Sequence, residues 1–242
     1  MSHASENARS GATVPADAVT ASLPAAVLWD MDGTLVDTEP YWIQAEHELV
    51  AAHGGVWNDE FAHQLVGNAL EVSAQLIIDR SGIDLTIAQI VDGLLERVVA
   101  QVATEVPWRP GARELLFELG RLEVPSLLVT MSWRSLADRV VGALPEGTFQ
   151  ALVTGDEVSH GKPHPEPYLA AARLIDVDPR DCVALEDSPT GVRSATAAGV
   201  PTIAIPHIVP VPQIEGAVQV PSLVGVSAYD LIELVAPVRT QR

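Results

Sequence analysis

Short apolar runs recur along this chain, and nearly every one ends on a polar or small residue. Ala25-Ala26-Val27-Leu28-Trp29 stops at Asp30, and Ser126-Leu127-Leu128-Val129 stops at Thr130. Ala151-Leu152-Val153 ends near Gly155, Cys182-Val183-Ala184-Leu185 at Glu186, and Thr202-Ile203-Ala204-Ile205 at Pro206. Runs of this length and composition predict strands buried on both faces of a parallel sheet. The amphipathic stretches between them, 112–121, 133–143, 166–175 and 190–198, predict helices. Strands alternating with helices give an α/β fold with a parallel sheet, in which ligands bind beyond the carboxyl ends of the strands. The polar residues that close the runs fall at those ends.

Residues 39–107 interrupt the alternation. Pro40, just after Thr38 and Glu39, suits the start of a helix. The stretches 41–53, 59–66, 69–80 and 86–104 all read as helical, with no strand among them. The expected organisation is a catalytic core from 23–38 and 108–242, an all-helical insertion over 39–107, and a disordered tail over 1–22. The tail is rich in Ala, Ser, Thr and Gly and lacks the basic start and apolar centre of a signal peptide.

Composition narrows the classes of function. The 242 residues are 48% hydrophobic and 19% charged, enough to bury a large core. No apolar run reaches the roughly 18 residues that a membrane helix needs. A net charge of −18 repels phosphate backbones, so nucleic acid is not an expected partner. Any anionic substrate then requires a local cation. One cysteine, Cys182, forbids an intrachain disulfide and fits a reducing cytoplasm. Of 14 basic residues 13 are arginine, and Lys162 is the one lysine. That single exception marks a position where arginine does not serve.

The candidate chemistry sits at the strand ends. Asp30-Met31-Asp32-Gly33-Thr34 offers two carboxylates at i and i+2, one able to attack and the other to handle a proton. Gly33 lets the backbone turn tightly. Glu186-Asp187 closes another strand, and Asp187 has a second possible role as the cap of the helix at 190–198. Four carboxylates at neighbouring strand ends need a hard cation, which selects Mg²⁺. Lys162 can neutralise a nucleophile and incoming phosphoryl oxygens, and the hydroxyl of Thr130 can bind one of those oxygens. His47, His53 and His63 lie in helical stretches without metal-ligand spacing. His160 and His164 flank Lys162 in a loop.

In this order the motifs resemble those of the haloacid dehalogenase superfamily, in its phosphatase branch. Asp30-Met31-Asp32-Gly33-Thr34-Leu35-Val36-Asp37-Thr38 resembles the first motif and Thr130-Met131-Ser132 the second. Gly161-Lys162-Pro163 resembles the third, and Glu186-Asp187-Ser188-Pro189-Thr190-Gly191, running on to Ala197-Ala198-Gly199, the fourth. The resemblance covers about 24–207 and implies a Rossmann-like core with a helical cap. It implies Asp30 as nucleophile, Asp32 as acid and base, and Thr130 and Lys162 as phosphate ligands. It places Mg²⁺ on Asp30, the carbonyl of Asp32 and Asp187, with Glu186 acting through water. Met131 departs from the Asn or Ser common there. Trp42 and Leu70 stand where the related sugar mutases carry a His and an Arg, which favours hydrolysis of a small sugar or polyol phosphate over transfer. The alternatives are a beta-phosphoglucomutase-like mutase and a non-catalytic regulatory or binding module on the same fold. Only Arg80 and Arg97 are basic within 39–107, which disfavours a second strongly anionic group on the substrate. Oligomeric state is not legible.

Overall fold

The computed structural model describes residues 22–239. The tail expected over 1–22 lies outside the described residues except for Ser22.

Six parallel strands form one sheet: β1 (Ala26–Trp29), β2 (Ser126–Val129), β3 (Ala151–Val153), β4 (Cys182–Glu186), β5 (Thr202–Ala204) and β6 (Ala217–Gln219). Their order is β3-β2-β1-β4-β5-β6. β1 pairs with β2 through Val27 opposite Ser126, and with β4 through Ala26 opposite Cys182. The winding reverses between β1 and β4, so the carboxyl ends of these two strands flank the crevice where open α/β sheets bind ligands. Asp30 follows β1, and Glu186 ends β4.

Successive residues of a strand face opposite sides of a sheet, so both faces of the central strands must be covered. Val27 and Trp29 join one buried cluster, together with helices α5 (Ala112–Arg121) and α6 (Arg134–Val141). Ala26 and Leu28 join a second cluster on the other face, with α7 (Glu166–Leu174) and α8 (Pro189–Ala197). Four helices lie between β1 and α5: α1 (Glu39–Ala52), α2 (Asp59–Ala62), α3 (Leu70–Ser81) and α4 (Ile87–Thr104). α4 begins with a reciprocal cap between Thr86 and Gln89. The two connections to this helical segment run side by side. Asp37 N–H donates to Pro107 O at 2.6 Å, and Arg109 N–H to Leu35 O at 3.0 Å.

The expected helix over 59–66 is shorter: α2 stops at Ala62, and turns lead through Gly67 in the left-handed region at φ 76°. Beyond residue 207, where no element was expected, β6 extends the sheet and a short α9 (Asp230–Val235) packs Leu231 and Val235 into the core. No described helix is long and apolar enough to cross a membrane.

Candidate active site

Lys162 comes from the loop after β3 yet reaches under the ends of β1 and β4. Its Nζ donates to Asp30 Oδ1 at 2.7 Å, Glu186 Oε1 at 2.6 Å and the carbonyl of Val129 at 2.9 Å. Three protons thus meet three acceptors. Lys162 as a whole is 5% exposed. Burial works against its charge, but the carboxylates of Asp30 and Glu186 more than offset this and hold its pKa above the usual lysine value. A compact ammonium satisfies this knot, whereas a planar guanidinium fork would not.

Asp30 is buried, and its pKa is pushed up to about 7, first by burial and then by the nearby charge of Glu186, while Lys162 pulls the other way. Asp187 is raised well above the ordinary aspartate value by burial, Asp30 and Glu186. Oδ2 of Asp30 and Oδ2 of Asp187 are buried without a hydrogen-bond partner among the described residues. One oxygen each from Asp30, Glu186 and Asp187 lies within 4.8 Å of the others. Gly33, at φ 85°, passes so close to the Asp187 carboxylate that a Cβ there would overlap it. Orphaned, crowded carboxylate oxygens are the donor set that a hard divalent cation satisfies.

Glu186 is fully enclosed. Its Oε1 accepts from Lys162 and from the Tyr168 hydroxyl at 2.7 Å, and its Oε2 accepts from Ser188 Oγ at 3.3 Å. Tyr168 lies outside every motif and was missed. Asp187 does not cap α8: Ser188 does, accepting from Gly191 N–H at 3.0 Å.

Asp32 binds four donors. Thr38 Oγ1 (2.5 Å) and Trp42 Nε1 (3.0 Å) donate to Oδ1, and Ser132 Oγ (2.7 Å) and Thr130 Oγ1 (3.3 Å) to Oδ2. Thr130, expected at a phosphoryl oxygen, here faces Asp32 and accepts from Ser132 N–H at 3.0 Å. Trp42 is buried in the core and also lines the site, with its indole nitrogen engaged. Met131 Sδ receives the backbone N–H of Lys162 at 3.1 Å, so the departure at Met131 supports the lysine loop. His160 and His164 remain in that loop, largely exposed, with His160 bonded to Glu166 at 2.9 Å.

A cleft opens between the sheet ends and the four helices. It is lined by Asp30, Asp32, Lys162 and Asp187 from below, and by Glu39, Trp42, Glu46 and Ser73 from above.

Acids and one ammonium at the switch point of a parallel α/β sheet define a hydrolase built to handle an anionic group beside a cation. Residues 27–205 match the haloacid dehalogenase-like hydrolase family. Validoxylamine A 7'-phosphate phosphatase of Streptomyces hygroscopicus subsp. limoneus is 33% identical over 183 residues, 72% of this chain and 81% of that protein. Hexitol phosphatase B of Escherichia coli (strain K12) is 28% identical over 187 residues, 75% of this chain and 83% of that one. A crystal structure of a CbbY variant from Rhodobacter sphaeroides, in complex with xylulose-(1,5)bisphosphate, superposes with TM-score 0.76 at 30% identity. It covers 83% of this chain and 95% of that one. The chain belongs to the haloacid dehalogenase-like hydrolase family. It is a phosphatase of that family, acting on a phosphorylated metabolite.

Proposed function

We propose that the protein is a Mg²⁺-dependent phosphomonoesterase for a small sugar or polyol phosphate, working through an aspartyl-phosphate on Asp30. The supporting observation is the pairing of two partnerless buried carboxylate oxygens, on Asp30 and Asp187, with a buried ammonium bonded to Asp30. Asp30, Asp187 and the backbone carbonyl of Asp32 would hold the ion, with Glu186 behind them. When bound, Mg²⁺ supplies positive charge that offsets the charge of the phosphoryl group and the acids.

Asp30 attacks phosphorus through a carboxylate oxygen while the bond from phosphorus to the substrate oxygen breaks. Asp32 gives its proton to that leaving oxygen. Water then attacks the same phosphorus, and Asp32 takes its proton. The acyl-phosphate bond breaks, and inorganic phosphate and free Asp30 result. Lys162 lowers the repulsion between the nucleophile and the incoming oxygens, and Glu186 and Val129 O keep it in place. A hydroxyl among the four donors to Asp32 can turn to accept its proton while the Trp42 indole goes on donating, and two of the four, Thr38 and Trp42, belong to the connection and first helix of the inserted segment. On this reading residues 39–107 act as a cap whose closure rearranges the donors around Asp32 and excludes water.

Phosphate release from p-nitrophenyl phosphate and a panel of phosphorylated sugars and polyols tests this. Turnover should need Mg²⁺, stop in EDTA and vanish in Asp30→Asn. Turnover by that variant near the wild-type rate would sink the covalent route. Absence of metal-dependent turnover would turn the reading toward the regulatory module. The mutase reading requires beta-glucose 1-phosphate to become the 6-phosphate, and release of phosphate without that isomer rules it out.

A further inference from the structure

Two carboxyl groups in the roof of the cleft have no part in the chemistry above. Glu39 and Glu46 lie on α1 at i and i+7, with Trp42 between them at i+3, so all three share one helix face. Both are deeply buried, at 6% and 4% exposure, and both line the cleft. The Glu39 carboxyl makes no hydrogen bond or ion pair with a described residue. Glu46 accepts one bond, from Trp57 Nε1 at 3.0 Å on Oε2, and its Oε1 accepts none. These open oxygens are not sealed from solvent, so a molecule held in the cleft that both residues line can donate to them. Burial raises the pKa of both groups to about 8.

The cations are elsewhere. Among the described residues lining the cleft, Lys162 is the one cationic side chain, and its three protons are already taken. Arg97 turns to Gly93 O at 2.7 Å and to Glu48, and Arg80 lies over the ring of Phe61. Neither reaches the cleft. The roof therefore offers open acceptors and no countercharge.

We propose that Glu39 and Glu46 form a leaving-group subsite that takes the hydroxyl groups of an uncharged polyol and rejects a leaving group bearing a second phosphate or a carboxylate. This rests on the phosphatase reading of the same site. The hydroxyls donate to the open oxygens of both glutamates, with Ser73 beside them. A second anion would face two carboxyls in a buried space with no cation to meet it. The CbbY structure that holds a bisphosphate belongs to a protein of the same family, so the roof of the cleft, not the acid cluster below it, would separate the two specificities.

Matched pairs test this at three chain lengths: glycerol 3-phosphate against 3-phosphoglycerate, ribitol 5-phosphate against 5-phosphoribonate, and glucitol 6-phosphate against 6-phosphogluconate. Each acid differs from its polyol by one carboxylate. At pH 9, where both glutamates are above their pKa of about 8 and charged, at least one polyol phosphate should exceed its acid partner in wild-type kcat/KM by about 10–100-fold, the effect of like charges set side by side in a poorly solvated site. Glu46→Gln keeps an acceptor for Trp57 and removes the charge, so the ratio should contract to within about threefold. Glu39→Gln provides the same comparison at a residue with no structural partner. Thermal melts establish that each variant is folded. Turnover of p-nitrophenyl phosphate with no preference within any pair, or an unchanged ratio in both folded variants, overturns this inference and leaves the phosphatase reading standing. No turnover of any phosphate ester overturns both.

Discussion

Replacing Lys162 with methionine should damage stability and catalysis together, in a way that depends on pH. The side chain is buried and bonded to Asp30, Glu186 and Val129 O. Methionine fills similar volume but leaves buried carboxylates uncompensated, a loss of about 3–5 kcal/mol for breaking such a pair. A chain of this size loses roughly 2–4 °C of melting temperature per kcal/mol, so the variant should melt about 6–20 °C lower. Asp30 already has its folded pKa raised to about 7 by burial, and losing the ammonium moves it higher. A carboxyl with a raised folded pKa costs stability that appears above its unfolded value, near 4, and stops growing once the pH passes the folded value. The cost from Asp30 therefore levels off above pH 7 in the wild type and continues to rise in the variant, while Glu39 and Glu46, raised to about 8, weigh on both proteins alike. The gap between the two melting curves should be present at pH 6 and widen from pH 7 to 9. The assay is thermal unfolding in EDTA followed by circular dichroism at several pH values, with phosphate release in Mg²⁺ measured alongside. Turnover should fall by about 10²–10³-fold, as when a preorganised charge donor is lost. Melting within about 2 °C of wild type at pH 8, with parallel pH curves, would refute the account of Lys162 as the charge that holds these acids together.

Three further outcomes can be checked. Mg²⁺ at about 100 times its Kd should stabilise the protein by about 2.7 kcal/mol, raising the melting temperature by roughly 5–11 °C in calorimetry, and EDTA should reverse this. Gly33→Ala would set a Cβ against the Asp187 carboxylate at a residue with φ 85°; Mg²⁺ titrations should show affinity weakened at least about 10-fold, because the shell around the ligands is disturbed. Trp42→Phe removes the indole donor from Asp32; steady-state kinetics should show kcat lower by about 10–100-fold with KM little changed, since a bond to a charged group is worth about 1.5–3 kcal/mol.

Five of the six strands were legible because each is a compact apolar run between polar ends, the pattern that a doubly covered sheet demands. β6 was not: it is three residues long, Ala217-Val218-Gln219, half-exposed at the sheet edge and preceded by a proline-rich stretch. α9 has only six residues, too few to show a helical period. The acids and Lys162 were legible from their motifs and spacing, and the structure brings Asp30, Lys162, Glu186 and Asp187 into one cluster. The partners that complete the site were harder to read. Tyr168 sits on a helix with an apolar face, and periodicity gives its buried side but not the carboxylate it meets 18 positions later. Glu39 and Glu46 read as ordinary helix charges. Their i, i+7 spacing, with Trp42 between them, was the available signal that they share a face with an aromatic residue, and a face of that kind is usually turned inward.

The knot around Lys162 joins residues far apart in the order of synthesis. Asp30 leaves the ribosome first, and its lysine partner follows 132 residues later. Glu186 comes 24 residues after that. A nascent chain therefore carries Asp30, the proposed nucleophile, for most of its elongation without the ammonium and the acids that gather around it in the finished fold. Chemical competence and a finished fold arrive together, and a truncated translation product that ends before Lys162 would be catalytically silent.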